Sequence, residues 1–128
     1  MLSPHSGPGP ELFLTEIKVA DWSRSVRWYV EILGLRMVLS DAEHAYALLA
    51  AGPSRLALKG DAGQAPGREA ARLVFQVDDA EAQRERLIGL GVDVGPTLES
   101  DRESYREVRL ADPDGTPISL FSWTDSRS

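Results

Sequence analysis

In the stretch FLTEIKVADWSRSVRWYVEILGL, residues 13–35, the apolar residues are spaced first as in a strand and then as in a helix. Up to Val19 apolar and polar residues alternate, which predicts a strand with two unlike faces. Asp21 is suited to cap a helix, and Gly34 supplies the left-handed residue that ends one. Three short candidate strands follow, at residues 36–40, 44–50 and 54–59. The predicted order is therefore βαβββ.

The same order recurs in the second half of the chain. The stretch RLVFQVDDAEAQRERLIGLGV, residues 72–92, alternates and then becomes helical, and candidate strands follow at 92–98, 104–111 and 117–123. Ile17 and Phe75 lie 58 positions apart, as do Asp21 and Asp79. One such unit cannot bury its own sheet face. The duplication therefore predicts an α+β fold in which two βαβββ modules pack together and their curled sheets surround a shared concavity.

The repeat also divides the chain into segments. Residues 60–70, GDAGQAPGREA, are rich in glycine and alanine and show no periodicity, which is typical of a linker. The predicted organisation is an N-terminal arm at 1–11, a first module at 12–59, the linker at 60–70, a second module at 71–123 and a tail at 124–128.

Composition excludes several classes of function. With 128 residues, 42% of them hydrophobic, the chain can bury a core of its own. Its net charge of −6 opposes contact with phosphate backbones and anionic lipid, so neither nucleic acid nor a membrane is an expected partner. The absence of cysteine excludes disulfides and thiolate chemistry. No apolar run is long enough for a signal peptide or a membrane span, so a cytoplasmic location is expected.

Two stretches carry a resemblance to a known family. VADWSRSVRWYVEILGL, residues 19–35, and ADPDGTPISLF, residues 111–121, occur in the order found in the vicinal oxygen chelate superfamily, which the chain resembles over roughly residues 12–123. That superfamily includes glyoxalase I, extradiol dioxygenases, fosfomycin resistance enzymes and bleomycin-binding resistance proteins. The resemblance implies paired modules that form a cup, a homodimer, and a site on the concave sheet face.

The resemblance also implies where a metal would bind. Metal-dependent members carry His, Gln or Glu on the first and last strand of each module, and the matching positions here are Leu14, Ala57, Arg72 and Ser119. Leucine and alanine have no donor atom, arginine is a fixed cation, and a serine hydroxyl is a poor ligand for a divalent ion. We therefore expect a cup without a metal or any other cofactor.

Strand alternation predicts which side chains share the cup, because residues two apart lie on one face. The candidate ligand-binding residues are Glu16, Lys18, Arg55, Arg72, Gln76, Ser119, Phe121 and Trp123. Arg72 and Lys18 are interpreted as holding an anionic or carbonyl-bearing small molecule. Phe121 and Trp123 would stack on its apolar part. Alternatively, the charges form a salt-bridge network that fills the cavity, and Ser119 is only a small residue that leaves room.

Four functions stay open at this point. The first is metal-free binding of a small anionic or aromatic molecule, including an antibiotic, as the resemblance to bleomycin-type resistance proteins implies. The second is a metal-independent lyase, isomerase or dioxygenase-related enzyme with Glu16 as catalytic base. The third is a metalloenzyme with an unconventional site around Glu16, and the fourth is a non-catalytic interaction module. The charged stretch at 99–109 is expected to be a solvated hairpin.

Overall fold

The computed structural model describes residues 9, 13–61, 63 and 72–125. Most of the predicted N-terminal arm, most of the linker and the end of the tail lie outside the described residues. The elements in chain order are β1 (Thr15–Val19), α1 (Trp22–Arg27) with a π-helical turn directly after it (Trp28–Ile32), β2 (Arg36–Asp41), β3 (Tyr46–Ala51), β4 (Ser54–Gly60), β5 (Leu73–Gln76), α2 (Ala80–Gly89), β6 (Leu98–Ser100), β7 (Tyr105–Ala111) and β8 (Pro117–Trp123).

The strands form two sheets of four. The first sheet has the order β1-β4-β3-β2 and the second the order β5-β8-β7-β6. In each sheet the first and last strands of the module pair in parallel, and the remaining pairs are antiparallel. The predicted fold class, α+β with two βαβββ modules, is confirmed. The module boundaries at 12–59 and 71–123 stay a prediction.

Each helix begins after an aspartate, which is the predicted Asp21 for the first helix and Asp79, its counterpart in the repeat, for the second. Asp21 accepts a hydrogen bond from the Arg24 amide at 3.2 Å, and Asp79 accepts one from the Ala82 amide at 3.2 Å. These bonds satisfy amides that have no partner within the helix. At the other end of the first helical segment Gly34 has a φ of +96°, a conformation that other residues adopt at a cost.

One face of each sheet contributes to a single hydrophobic core, which contains residues of both modules. Its buried members include Ile17, Val19, Tyr29, Leu49, Leu56, Leu58, Leu87, Val108, Leu110, Ile118 and Leu120. Because side chains alternate along a strand, the residues between these point to the other side of each sheet. We call these two surfaces the open faces of the first and second sheets.

Two hydrogen bonds join the modules on the core side. The Tyr29 hydroxyl donates to Asp112 at 2.7 Å, and the Ala20 amide donates to Asp114 at 2.7 Å. Tyr29 is fully buried and both carboxylates are nearly so. The two aspartates of the DPDG turn therefore do more than shape the turn, because they bind both ends of the segment from Ala20 to Tyr29 to the second module.

The sixth strand differs from the prediction. The sequence predicts a strand at 92–98, whereas β6 covers Leu98–Ser100. Pro96 has no amide hydrogen to donate, and the Gly95 amide bonds the Arg109 carbonyl at 3.0 Å outside any strand ladder. Val94 packs in the core without strand geometry. The apolar pattern of this segment thus indicates burial and not a strand.

No helix in the described part of the chain has the length and apolar character needed to cross a membrane. The cytoplasmic location and the exclusion of nucleic acid stay predictions.

Candidate functional site

Three aromatic rings cluster on the open face of the second sheet. The Phe121 ring meets the Trp123 ring edge-on, with centroids 5.2 Å apart, and the Tyr105 ring with centroids 6.5 Å apart. Tyr105 and Trp123 are register partners on β7 and β8, so the backbone itself brings the rings together. A cavity of about 520 Å³ lies over this face, lined by Val74, Arg102, Glu103, Tyr105, Glu107, Phe121 and Trp123.

A polar cluster adjoins the aromatic rings on the same face. Arg72 donates from Nη1 to the Ser119 hydroxyl at 3.2 Å. Arg109 donates from Nε and Nη2 to the two oxygens of Glu107, at 3.2 and 3.4 Å. Ser119 is fully buried, and the Glu107 side chain is 14% exposed. The cluster therefore holds two guanidinium groups and one carboxylate around a buried hydroxyl.

The carboxylate of Glu107 is held in its ionised form. Burial raises its pKa, but hydrogen bonds from Ser119 and Arg109 and the charges of Arg109 and Arg72 together bring the pKa below its ordinary value. Glu107 is thus an acceptor of hydrogen bonds at neutral pH and a weak base.

The open face of the first sheet has a different character. Lys18 and Lys59 are register partners on the parallel strands β1 and β4, so their side chains lie side by side. The Lys18 Nζ is 3.4 Å from Glu16, and the Lys59 Nζ donates to the His44 carbonyl at 2.7 Å. The ion pair between Lys18 and Glu16 is exposed to solvent, because the two side chains are 49% and 42% exposed.

The structure divides the eight predicted site residues among three places. Ser119, Phe121 and Trp123 lie on β8, and Phe121 and Trp123 line the aromatic cavity beside the Arg72–Ser119 hydrogen bond. Gln76 shares their face as the register partner of Phe121. Glu16 and Lys18 lie on the first sheet and are not among the described residues that line the aromatic cavity. Their roles in binding stay a prediction.

Arg55 and Arg72 also line a cleft of about 650 Å³ between the modules, at the free edge of β5. Its walls include Leu33, Leu35, Leu73, Phe75, Gln76 and Leu120, from both modules. Among the described strands β5 pairs only with β8, so its outer edge presents unpaired backbone groups to this cleft. Arg55 itself donates to the Gly52 and Ser54 carbonyls, both at 3.1 Å.

The sequence reasoning missed the contribution of β7. The charge of the stretch 99–109 predicts a solvated hairpin, yet β7 pairs with β8 and places Tyr105 and Glu107 in the aromatic cavity. A signal is present, because Val108 and Leu110 alternate with polar residues and both are buried. The density of charge in this stretch conceals that alternation.

The residues at the family's metal positions do not fit a divalent ion. Arg72 places a cation against Ser119, and the fully buried Ala57 offers no donor atom. Within residues 13–61 and 72–125 no group of three or more His, Asp or Glu side chains is arranged to hold a metal. Leu14 is likewise without a donor, so the four positions supply one hydroxyl oxygen among them.

Residues 15–121 match the profile of a protein family described as a glyoxalase-like domain. The chain belongs to this family. In the glyoxalase-like domain the matched region begins with β1 and ends within β8, so it contains both modules and both open faces. A search of curated protein sequences finds no match.

Solved structures share the fold of this glyoxalase-like domain. It is similar to TnmS3, an antibiotic binding protein from Streptomyces sp. CB03234, with 24% identity, a TM-score of 0.75, and coverage of 91% of this chain and 98% of that one. It is similar to the fosfomycin resistance protein FosX from Listeria monocytogenes, with 16% identity, a TM-score of 0.74, and coverage of 88% and 93%.

A third similar structure is a glyoxalase/bleomycin resistance protein/dioxygenase from Nocardioides, with 16% identity, a TM-score of 0.70, and coverage of 94% and 89%. The match to the glyoxalase-like family confirms the resemblance to the vicinal oxygen chelate superfamily that the sequence indicates. At these identities the likeness concerns the fold.

Proposed function

We propose that the protein binds a small aromatic molecule on the open face of its second sheet, without a metal. The observation that carries the proposal is the cluster of Tyr105, Phe121 and Trp123 around a cavity of about 520 Å³. Aromatic walls with a few polar groups are typical of small-molecule sites. The description of TnmS3 as an antibiotic binding protein makes aromatic antibiotics a suitable first class of candidate ligands.

Binding is favoured over catalysis by the state of the carboxylates. Glu107 lines the cavity, but its lowered pKa and its bonds to Arg109 and Ser119 make it a poor proton acceptor. Glu16, the predicted base, lies on the other sheet beside Lys18. A polar group of the ligand would instead be bound by Arg72, which lies beside the cavity through its bond to Ser119 and has N–H groups beyond the one that Ser119 accepts.

We also propose that the protein is a homodimer. Large apolar side chains are exposed on its strands, with Leu39 52% and Val74 60% exposed, and β1 and β5 each have a free edge among the described strands. Exposed apolar surface and unpaired strand edges are both features that a subunit interface would cover.

Thermal unfolding with a panel of aromatic acids and aromatic antibiotics tests the binding proposal. A ligand at ~100 times its Kd adds about 2.7 kcal/mol to the free energy of unfolding, which raises Tm measurably. Phe121→Ala should abolish the ligand-induced rise in Tm, measured against the variant's own unliganded Tm. Ile88→Ala, which removes an exposed side chain on α2, is the matched control and should keep it. A rise that survives Phe121→Ala would contradict the proposal.

A further inference from the structure

The turn between β6 and β7 brings two charged side chains to the aromatic cavity. Arg102 and Glu103 are consecutive residues of this turn, and both are exposed and line the cavity. Hydrogen bonds hold the backbone of the turn. The Glu103 amide donates to the Ser100 hydroxyl at 3.2 Å. The Thr124 amide donates to the Ser104 carbonyl at 2.8 Å. One held segment of backbone therefore presents a cation and an anion to the cavity.

The charge pairing within residues 99–109 leaves these two side chains without a partner. The stretch contains three arginines and three glutamates. Two of each form ion pairs, Arg106 with Glu99 at 2.7 Å and Arg109 with Glu107 at 3.2 Å. The remaining arginine is Arg102 and the remaining glutamate is Glu103. Within the described part of the chain neither side chain forms a hydrogen bond or an ion pair, with the other or with any further residue.

An unpaired charge beside an apolar site discriminates between ligands. In the free protein an exposed charge is hydrated, but a ligand that covers it must replace the lost water. A ligand group of opposite charge replaces it with a charge-assisted hydrogen bond, whereas a group of like charge is repelled. Arg102 therefore favours an anionic group on the ligand, and Glu103 favours a cationic one.

The other charged residue of the cavity is already matched. Among the described residues Glu107 is the third charged side chain in the cavity lining, and Arg109 balances its charge. A ligand with an acid group alone would pair with Arg102 but meet the like charge of Glu103, and a ligand with an amine alone would meet the reverse. A ligand that carries both groups can pair with both side chains.

We propose that Arg102 and Glu103 determine which ligands bind, and that the ligand is an aromatic zwitterion with a carboxylate for Arg102 and an ammonium group for Glu103. Its ring lies on Phe121 and Trp123, so this inference rests on the proposed function. An aromatic amino acid is the simplest ligand of this class, and a cavity of about 520 Å³ has room for it.

Three probes that share one indole ring test the two charges separately. Tryptophan carries both charged groups, tryptamine lacks the carboxylate, and indole-3-propionate lacks the ammonium group. Isothermal titration calorimetry at pH 7 gives the Kd of each. Tryptophan should bind about threefold or more tightly than either of the other two, which is the factor that one exposed charge pair contributes.

Arg102→Gln and Glu103→Gln should each remove one part of this preference. In Arg102→Gln the Kd of tryptophan should rise about threefold, whereas that of tryptamine should not rise. In Glu103→Gln the Kd of tryptophan should rise by a similar factor, whereas that of indole-3-propionate should not rise. Arg27→Gln on α1 and Glu85→Gln on α2 make the same changes at exposed residues outside the cavity lining, and they should leave all three Kd values unchanged.

The outcomes separate this inference from the proposed function. Tryptophan that binds no more tightly than both other probes overturns the inference, and so do variants at Arg102 and Glu103 that change all three Kd values equally. If no probe binds but a ligand of the aromatic panel raises Tm in a way that Phe121→Ala abolishes, only this inference is overturned. If no probe binds and no panel ligand raises Tm, the proposed function fails with it.

Discussion

At the scale of single residues, Glu107 is held in place by its neighbours on the face where we propose that the ligand binds. Its carboxylate is fixed by Arg109 and, through Ser119, connected to Arg72. Each group in the cluster has a partner, so the side chains hold their positions without a ligand. Such preorganisation reduces the entropy lost on binding.

Glu107→Gln should lower the free energy of unfolding by ~1–3 kcal/mol at pH 7, because a buried charged acceptor is lost from the network. The folded-state pKa of Glu107 lies below its ordinary value of 4.5, so its stabilisation is complete above that pH and is lost as pH falls through the lowered pKa. The difference from wild type in urea unfolding should therefore shrink as the pH is lowered below 4.5. Glu99→Gln, at a side chain 53% exposed, is the control and should have a small effect at either pH. A difference independent of pH would contradict the assignment.

Tyr29→Phe should destabilise the protein by ~1.5–3 kcal/mol, the range for a hydrogen bond to a charged group. It removes the buried donor that joins the first helix to Asp112 at 2.7 Å. Tyr46→Phe on β3, at a partly exposed ring, provides the comparison and should change stability by less than about 0.5 kcal/mol. Chemical denaturation measures both, and equal values for the two variants would disprove the role given to Tyr29.

At the scale of elements, the strands with clear alternation are predictable from the sequence. In β5, alternation predicts that Leu73 and Phe75 lie on one sheet face and Val74 and Gln76 on the other. The register agrees, because the first two residues pair with core residues of β8 and the last two with residues of its open face. The predicted strand at 92–98 is wrong. Val94 is apolar because it packs against other elements in the core, and the local sequence does not distinguish such a buried loop residue from a strand residue. The helix ends are predictable, because a glycine with positive φ is a local requirement.

Gly34→Ala and Gly89→Ala should change stability in opposite directions. A methyl group added at either Cα would meet no atom within 4 Å, so crowding plays no part. Gly34 has a φ of +96°, where alanine is strained by about 1 kcal/mol. Gly89 ends α2 without a positive φ, where alanine is favoured by about 0.4–1 kcal/mol. Thermal unfolding of the two variants checks the signs, and two changes of the same sign would refute this account.

At the scale of the whole molecule, the relation between the two sheets could not be predicted from the sequence. The duplication indicates a shared concavity, and both sheets have the expected open face. Whether those faces meet within a chain depends on contacts such as Tyr29 with Asp112, which are 83 residues apart. No local pattern encodes a pairing of that range.

A homodimer should have a mass of twice the 14.0 kDa chain in light scattering after gel filtration. Val74→Arg should halve that mass, because it places a further charge at the exposed apolar position beside the free edge of β5. Ile88→Arg makes the same change at an exposed position on α2 and should leave the mass unchanged. A Val74→Arg protein that elutes with the wild-type mass would show that this edge is not the interface.

The two neighbouring lysines also make the protein open to selective chemical labelling. Side-chain amines occur at no other positions in the sequence, so an acylating reagent at alkaline pH modifies this one surface and, beside it, only the α-amine of the chain, which peptide mapping distinguishes. Intact mass spectrometry would count the added groups directly. Any molecule that covers the two amines would slow their acylation, so the rate of labelling would measure the occupancy of this surface without knowledge of the natural ligand.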